Sequence, residues 1–194
     1  MIRLVIAAVV ALAVLAGLIA VAVLVVLRRR TRTLLSHKAT PLPDRDLEAI
    51  LTARPTFAMT TTCHLHAPPQ RVWNALEDGA FSWLPFINGI RYTGSDRGVG
   101  ALRKLDTPLF AADEQVTHCR PHQRLTAVGI GTSIPLFAKS YVQDFELTPT
   151  SDGGTDLAWT VSGRPAVFAF LPLSWTALFI RPFARVALGW MIRP

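Results

Sequence analysis

The chain has 194 residues and a formal net charge of +7, with a pI near 10.4. Partitioned along the sequence, that charge excludes a nucleic-acid binder. Residues 1–38 hold six Lys or Arg and no acid, which leaves 14 basic against 13 acidic residues in the rest, and so no basic stripe for a phosphate backbone.

From Leu4 to Leu27 run 24 uncharged residues, almost all Leu, Val, Ile and Ala. As a helix that stretch is roughly 36 Å long, enough to cross a hydrocarbon core of about 30 Å with some tilt. A cleaved signal peptide is the rival reading. Its apolar region is shorter and ends at small residues, whereas this run stops at Arg28-Arg29-Arg30, with Arg32 and Lys38 beyond. The expectation is a retained single-pass anchor, residues 1–27, with membrane contact through residues 4–27. Only Arg3 and the terminal amine precede the span, so the positive-inside rule puts the N-terminus outside and the following domain in the cytoplasm. The flanking arginines also suit anionic headgroups.

Residues 28–55 read as a basic juxtamembrane linker with Pro41-Leu42-Pro43, then a short helix capped by Asp44 or Asp46 ahead of Leu47, Ile50 and Leu51. The remaining residues, 56–194, suffice for one core. Phe57 to Ala67 alternates as a strand. Pro68-Pro69 opens a helix with Val72, Trp73 and Leu76 on its apolar face, and 81–86 reads as a second short helix or turn. Six strands follow at about 89–95, 98–106, 111–119, 123–131, 138–149 and 154–163, with turn residues between them, as in an antiparallel meander.

In the last segment the period changes. Phe168, Leu171, Trp175, Leu178, Phe179, Pro182, Val186 and Trp190 recur at threes and fours, which predicts a long C-terminal helix with a break or kink at Pro182. A second membrane span there is the weaker alternative, because the uncharged run from Ala166 to Ile180 has only 15 residues. The resulting class is α+β: a seven-stranded antiparallel sheet wrapped around a C-terminal helix.

Strand alternation places Tyr141, Gln143, Phe145 and Leu147 on one face of their strand, and Leu157, Trp159 and Val161 likewise on one face of theirs. If Phe145 and Trp159 face the core, Tyr141 and Gln143 point inward too. Glu114 shares a face with Val116. Such groups either orient a ligand in an apolar pocket or satisfy one another, and Arg103 either holds an anionic headgroup or pairs with Glu114. Two loops echo each other: Thr107-Pro108-Leu109-Phe110-Ala111 and Ile134-Pro135-Leu136-Phe137-Ala138. Both lie at one end of a meander, so Leu109, Phe110, Leu136 and Phe137 form a ligand gate, a bilayer contact or a lid on the core.

No Ser-His-Asp order, phosphate-binding glycine loop or paired acidic motif is present. Cys63-His64-Leu65-His66 and His118-Cys119-Arg120-Pro121-His122 match no zinc spacing. Neither metal nor cofactor is expected, and Cys63 and Cys119 make no disulfide framework.

The order of elements, together with several motifs, resembles the START-like (SRPBCC) superfamily of polyketide cyclases, dehydrases and lipid-transfer domains. The likeness covers about Phe57 to Ile192. It rests on Ala67-Pro68-Pro69 with Val72-Trp73 and Leu76, and on Gly98-Val99-Gly100-Ala101-Leu102-Arg103. Glu114-Gln115-Val116, Arg124-Leu125 and Gly154-Thr155-Asp156-Leu157-Ala158-Trp159 complete it. Ala127 and Gly129 stand where many relatives carry an aromatic residue, and small residues there imply a larger cavity.

The resemblance implies a helix-grip fold with an apolar cavity between sheet and C-terminal helix. Its ligand-binding candidates are Arg103, Glu114, Tyr141, Gln143, Phe145, Trp159, Trp175 and Phe179. The first expectation is a membrane-anchored binder or carrier of a lipid or polyketide-like molecule. The alternatives are a cyclase or dehydrase with acid–base chemistry, and a non-catalytic module of a membrane complex. Nothing in the sequence specifies an oligomeric state.

Overall fold

The computed structural model describes residues 2–77, 88–108, 110–134, 140–164, 182, 185–186 and 188–189. The expected helix or turn at 81–86, and most of the expected C-terminal helix, lie outside them.

Helix α1 (Ile2–Ser36) is uncharged and apolar all round from Leu4 to Leu27, and its side chains from Ala11 to Val26 are exposed. Ala11–Ser36 meets the length and composition of a membrane span, as a signal sequence near an N-terminus also would. Residues 28–36, read above as the start of a linker, continue the same helix. Arginine and leucine are good helix formers, and this last part has a surface to pack on. Helix α2 (Asp44–Thr52) follows a short extended stretch. Pro43 occupies its N-cap without a side-chain bond, so Asp44 and Asp46 are not caps but first-turn residues that favour the positive end of the helix.

The strands are β1 (Phe57–Leu65), β2 (Gly89–Tyr92), β3 (Leu102–Asp106), β4 (Ala111–Arg120), β5 (Arg124–Thr132), β6 (Ser140–Pro149) and β7 (Thr155–Arg164). Helix α3 (Pro69–Glu77) separates the first two. All pairings are antiparallel, in the order β1-β7-β6-β5-β4-β3-β2. The first strand therefore pairs with the last, and the seven-stranded sheet expected from the sequence is present. β2 ends early at a bend over 93–95, and β3 starts late because the Gly98–Gly100 segment turns. Gly100 has φ 88°, which favours glycine, and its N–H donates to Val116 O at 2.8 Å.

One face of the sheet, here the inner face, carries the core. Leu65, Val116, Leu125, Phe145, Leu147 and Leu157 are buried there against Val72, Trp73 and Leu76 of α3. Each such side chain contributes on the order of 1.5–3 kcal/mol of burial. Leu188, at a helical position of the C-terminal segment, is wholly buried in the same cluster.

The outer face is covered by the chain that joins α1 to β1. Thr31 is buried, its hydroxyl donating to Ser133 Oγ at 3.4 Å. Lys104 Nζ donates to the carbonyls of Leu34 (2.8 Å) and His37 (2.6 Å). It also lies 3.1 Å from Asp113 Oδ1. A cation thus meets the carbonyl end of α1, where the helix dipole favours it. Further on, Leu42 N donates to Gln115 Oε1 at 2.8 Å, and α2 lies against β5 and β6 with Leu47 buried.

Candidate functional site

Register aligns the candidate residues across the inner face. Tyr92 pairs with Arg103, Arg103 with Glu114, and Glu114 with Gly129. Tyr141 pairs with Gly163 on the far side of the same row. In the next row Val116 pairs with Ala127, Ala127 with Gln143 and Gln143 with Val161. Register shifts in β4 at Asp113/Glu114 and Val116/His118 re-aim this strand.

Glu114 is the hub of the inner face. Its side chain is fully buried, and Arg103 Nε donates to its Oε2 at 2.6 Å. The other oxygen, Oε1, accepts from Tyr141 OH at 2.8 Å and Gln143 Nε2 at 2.5 Å. Gln143 in turn accepts at Oε1 from Trp159 Nε1 at 3.1 Å. The Trp159 ring stacks on Phe145 with centroids 5.9 Å apart, and the Arg103 guanidinium sits 5.9 Å from the Phe145 centroid. A buried ion pair is costly unless further hydrogen bonds satisfy it, and here two neutral donors supply them. Burial first, then the Glu114 charge, pushes the Tyr141 phenol well above its ordinary value, so it stays protonated.

Gly129 explains how Tyr141 reaches Glu114. A Cβ at 129 would collide with the Tyr141 ring, and one at 163 would meet Ser140 O at 2.5 Å. The room that small residues were expected to add to a cavity is, at 129, taken by this ring.

Among the described residues, some buried polar atoms on the inner face have no partner: Arg103 Nη2, Tyr92 OH and Thr61 Oγ1. Arg103 is only 1% exposed. Sequence reading missed Tyr92, although it lies two residues after buried Ile90 in a short strand, which is the alternation that places it inward. Burial raises the phenol pKa of Tyr92, and the Arg103 charge opposes that rise. The Cys63 and Cys119 thiols are likewise pushed up by burial and are poor nucleophiles.

Arg103, Glu114, Tyr141, Gln143, Phe145 and Trp159 therefore meet on one face. Trp175, Phe179, Leu109, Leu136 and Phe137 lie outside the described residues. Phe110 is half-buried just before β4, its N–H donating to Thr107 Oγ1 at 3.0 Å.

The two Cys/His motifs do not converge. They sit on β1 and β4, four strands apart in the sheet and so about 19 Å. His64 and His66 instead meet Asp152, with ligand atoms within 4.8 Å of one another, all exposed. His64 Nδ1 lies 2.8 Å from Asp156 and its Nε2 3.1 Å from Asp152. With both nitrogens facing carboxylates, the arrangement favours an imidazolium over a metal ligand.

A family model described as polyketide cyclase / dehydrase and lipid transport matches residues 56–193. The chain belongs to that family. Solved structures carry the same fold. A START superfamily protein from Mycobacterium smegmatis is 12% identical, with TM-score 0.56, covering 69% of this chain and 94% of that one. Ginseng major latex-like protein 151 from Panax ginseng is 10% identical, with TM-score 0.52, covering 68% and 95%. Protein XoxI from Bacillus cereus is 16% identical, with TM-score 0.51, covering 69% and 93%. No curated protein matches the sequence. Within the family's START-like frame, residues 1–55 are additional, and their last part is the segment that lies on the outer face of the sheet.

Proposed function

We propose that the protein is a membrane-anchored binder or carrier of a hydrophobic ligand with an oxygen-bearing end. Residues 1–27 anchor it, 28–55 join anchor to domain, and 56–194 hold the ligand between sheet and C-terminal segment, on the cytoplasmic side. The observation that carries this reading is the pair of buried donors, Arg103 Nη2 and Tyr92 OH, which have no protein partner among the described residues and lie on the inner face beside the apolar core. Buried polar groups are nearly always satisfied, and an unsatisfied one costs about 1–3 kcal/mol. A ligand carbonyl, hydroxyl or carboxylate oxygen accepting from these groups removes that cost, while its apolar body takes the place of water against the core.

Native mass spectrometry of the full chain after mild detergent extraction tests this. A co-purified lipid-like molecule that Arg103→Met and Tyr92→Phe both deplete is the expected result. Repeated absence of any bound molecule sinks the reading.

A cyclase or dehydrase is a second reading, favoured by the Glu114–Tyr141 pair, a carboxylate holding a phenol proton inside the fold. It requires the bound molecule to change with time, by loss of water or ring closure, in wild type but not in Tyr141→Phe. An unchanged ligand in both leaves the carrier.

A further inference from the structure

The sheet has two ends. At one lie the β3–β4 and β5–β6 connections, the start of β1 and the end of β7. At the other lie the turns after β2, β4 and β6. The path of α1 across the outer face distinguishes them. Thr31 meets Ser133, and Ser133 exchanges hydrogen bonds with Ala111, its N–H donating to Ala111 O and Ala111 N–H donating to its Oγ, both at 2.9 Å. Six residues on, His37 meets Lys104, inside the sheet, and Leu42 meets Gln115, further in. The chain thus enters the sheet at the Ala111/Ser133 end, and everything upstream of Thr31 extends beyond that end.

From this path, and resting on the reading of α1 as a membrane span, we infer that the end of the sheet carrying the β3–β4 and β5–β6 connections is held against the anionic bilayer surface. The last residue of the uncharged run is Leu27, four positions before Thr31, or about 6 Å of helix rise. Ser133 therefore stands roughly one helical turn from the edge of the hydrocarbon. The hold is stiff, because α1 is one unbroken helix from Ile2 to Ser36, Thr31 is buried, and Lys104 binds its last carbonyls.

A groove at the near end agrees with this placement. Between α1 and the end of β5 runs an open groove of about 480 Å³ lined by Arg29, Arg30, Thr33, Leu34, His37, Thr132 and Ser133. Guanidinium groups and hydroxyls at headgroup level suit a phospholipid phosphate. The opposite end carries Asp96 and Asp152 together with Arg97, Arg120 and Arg124 in and beside its turns, so the path of α1, not charge, distinguishes the two ends. A ligand entering beside the β3–β4 and β5–β6 connections would come directly from lipid.

The test uses the full chain, with Cys63 and Cys119 replaced by serine, in vesicles of phosphatidylcholine and phosphatidylglycerol. Single cysteines at Pro108→Cys, Ile134→Cys, Gln123→Cys and Ser151→Cys carry a fluorophore, quenched by a nitroxide at the lipid headgroup. Several-fold stronger quenching at 108 and 134 than at 123 and 151 is expected, with the contrast reduced by Lys104→Ala. Equal quenching at all four sites, or stronger quenching at 123 and 151, overturns the inference while leaving the anchor intact. Release of the chain by alkaline carbonate overturns the anchor itself, and this inference with it.

Discussion

The ring of Tyr141 lies across Gly129, so the absence of a side chain at one position is what lets the phenol at the other reach Glu114. Gly129→Ala should displace the ring, break the hydrogen bond and destabilise the fold by about 1–3 kcal/mol. Tyr141→Ala makes room again, so the double variant should lose less than the sum of the single losses. Urea unfolding of the four proteins measures the coupling, and strict additivity would show that the two residues act independently.

Arg103 and Glu114 form a fully buried ion pair. Replacing one partner leaves an uncompensated charge, so Arg103→Met alone should cost about 3–5 kcal/mol. Arg103→Met with Glu114→Gln removes both charges and should recover a large part of that loss. Equal stability of the single and double variants would contradict the assignment of the pair as mutually compensating.

Tyr92 separates a ligand role from a structural one. Its hydroxyl is buried without a partner among the described residues, so Tyr92→Phe removes an unsatisfied group and should leave the ligand-free protein as stable as wild type, or up to about 1–3 kcal/mol more stable. Retention of the co-purified molecule should fall. Thermal unfolding read beside native mass spectrometry checks both. Destabilisation with full retention would assign the hydroxyl to the fold.

The exposed His64 cluster sets a pH window. Hydrogen bonding to Asp156 first, and the neighbouring Asp152 charge, raise the His64 pKa above 6.5. That contribution is therefore full below about pH 6.5 and fades as pH rises through the raised folded value. Asp152 is lowered to about 2, chiefly by hydrogen bonds from Thr150 and Gly154 N–H. Its contribution is present above about pH 3.8 and fades as pH falls towards about 2. The melting-temperature difference between wild type and His64→Ala should be largest near pH 5 and shrink by about pH 9. A difference that grows with pH would contradict the pairing.

Much of the fold follows from local pattern. The strands read from the sequence at 111–119, 138–149 and 154–163 match β4, β6 and β7 within a residue or two, and Pro68-Pro69 ahead of Val72 and Trp73 marks α3, because these signals lie within a few residues of one another. The inward set Tyr141, Gln143, Phe145 and Trp159 follows from the same period of two. Alternation puts each of these side chains on a face, but it sets no partner.

What tertiary structure decided is which of them meet. The alignment of Tyr92, Arg103, Glu114 and Gly129 depends on hydrogen-bond register between strands and on the shifts in β4, which no single segment encodes. The same holds for α1. Its apolar run is legible in the sequence, but the docking of Thr31 on Ser133, 102 residues away, is not. The charged segment beyond Leu27 reads as a solvated linker until the outer face of the sheet is there to receive it. Local chemistry therefore specified the elements, and the non-local pairing of strands brought the site and the end of α1 together.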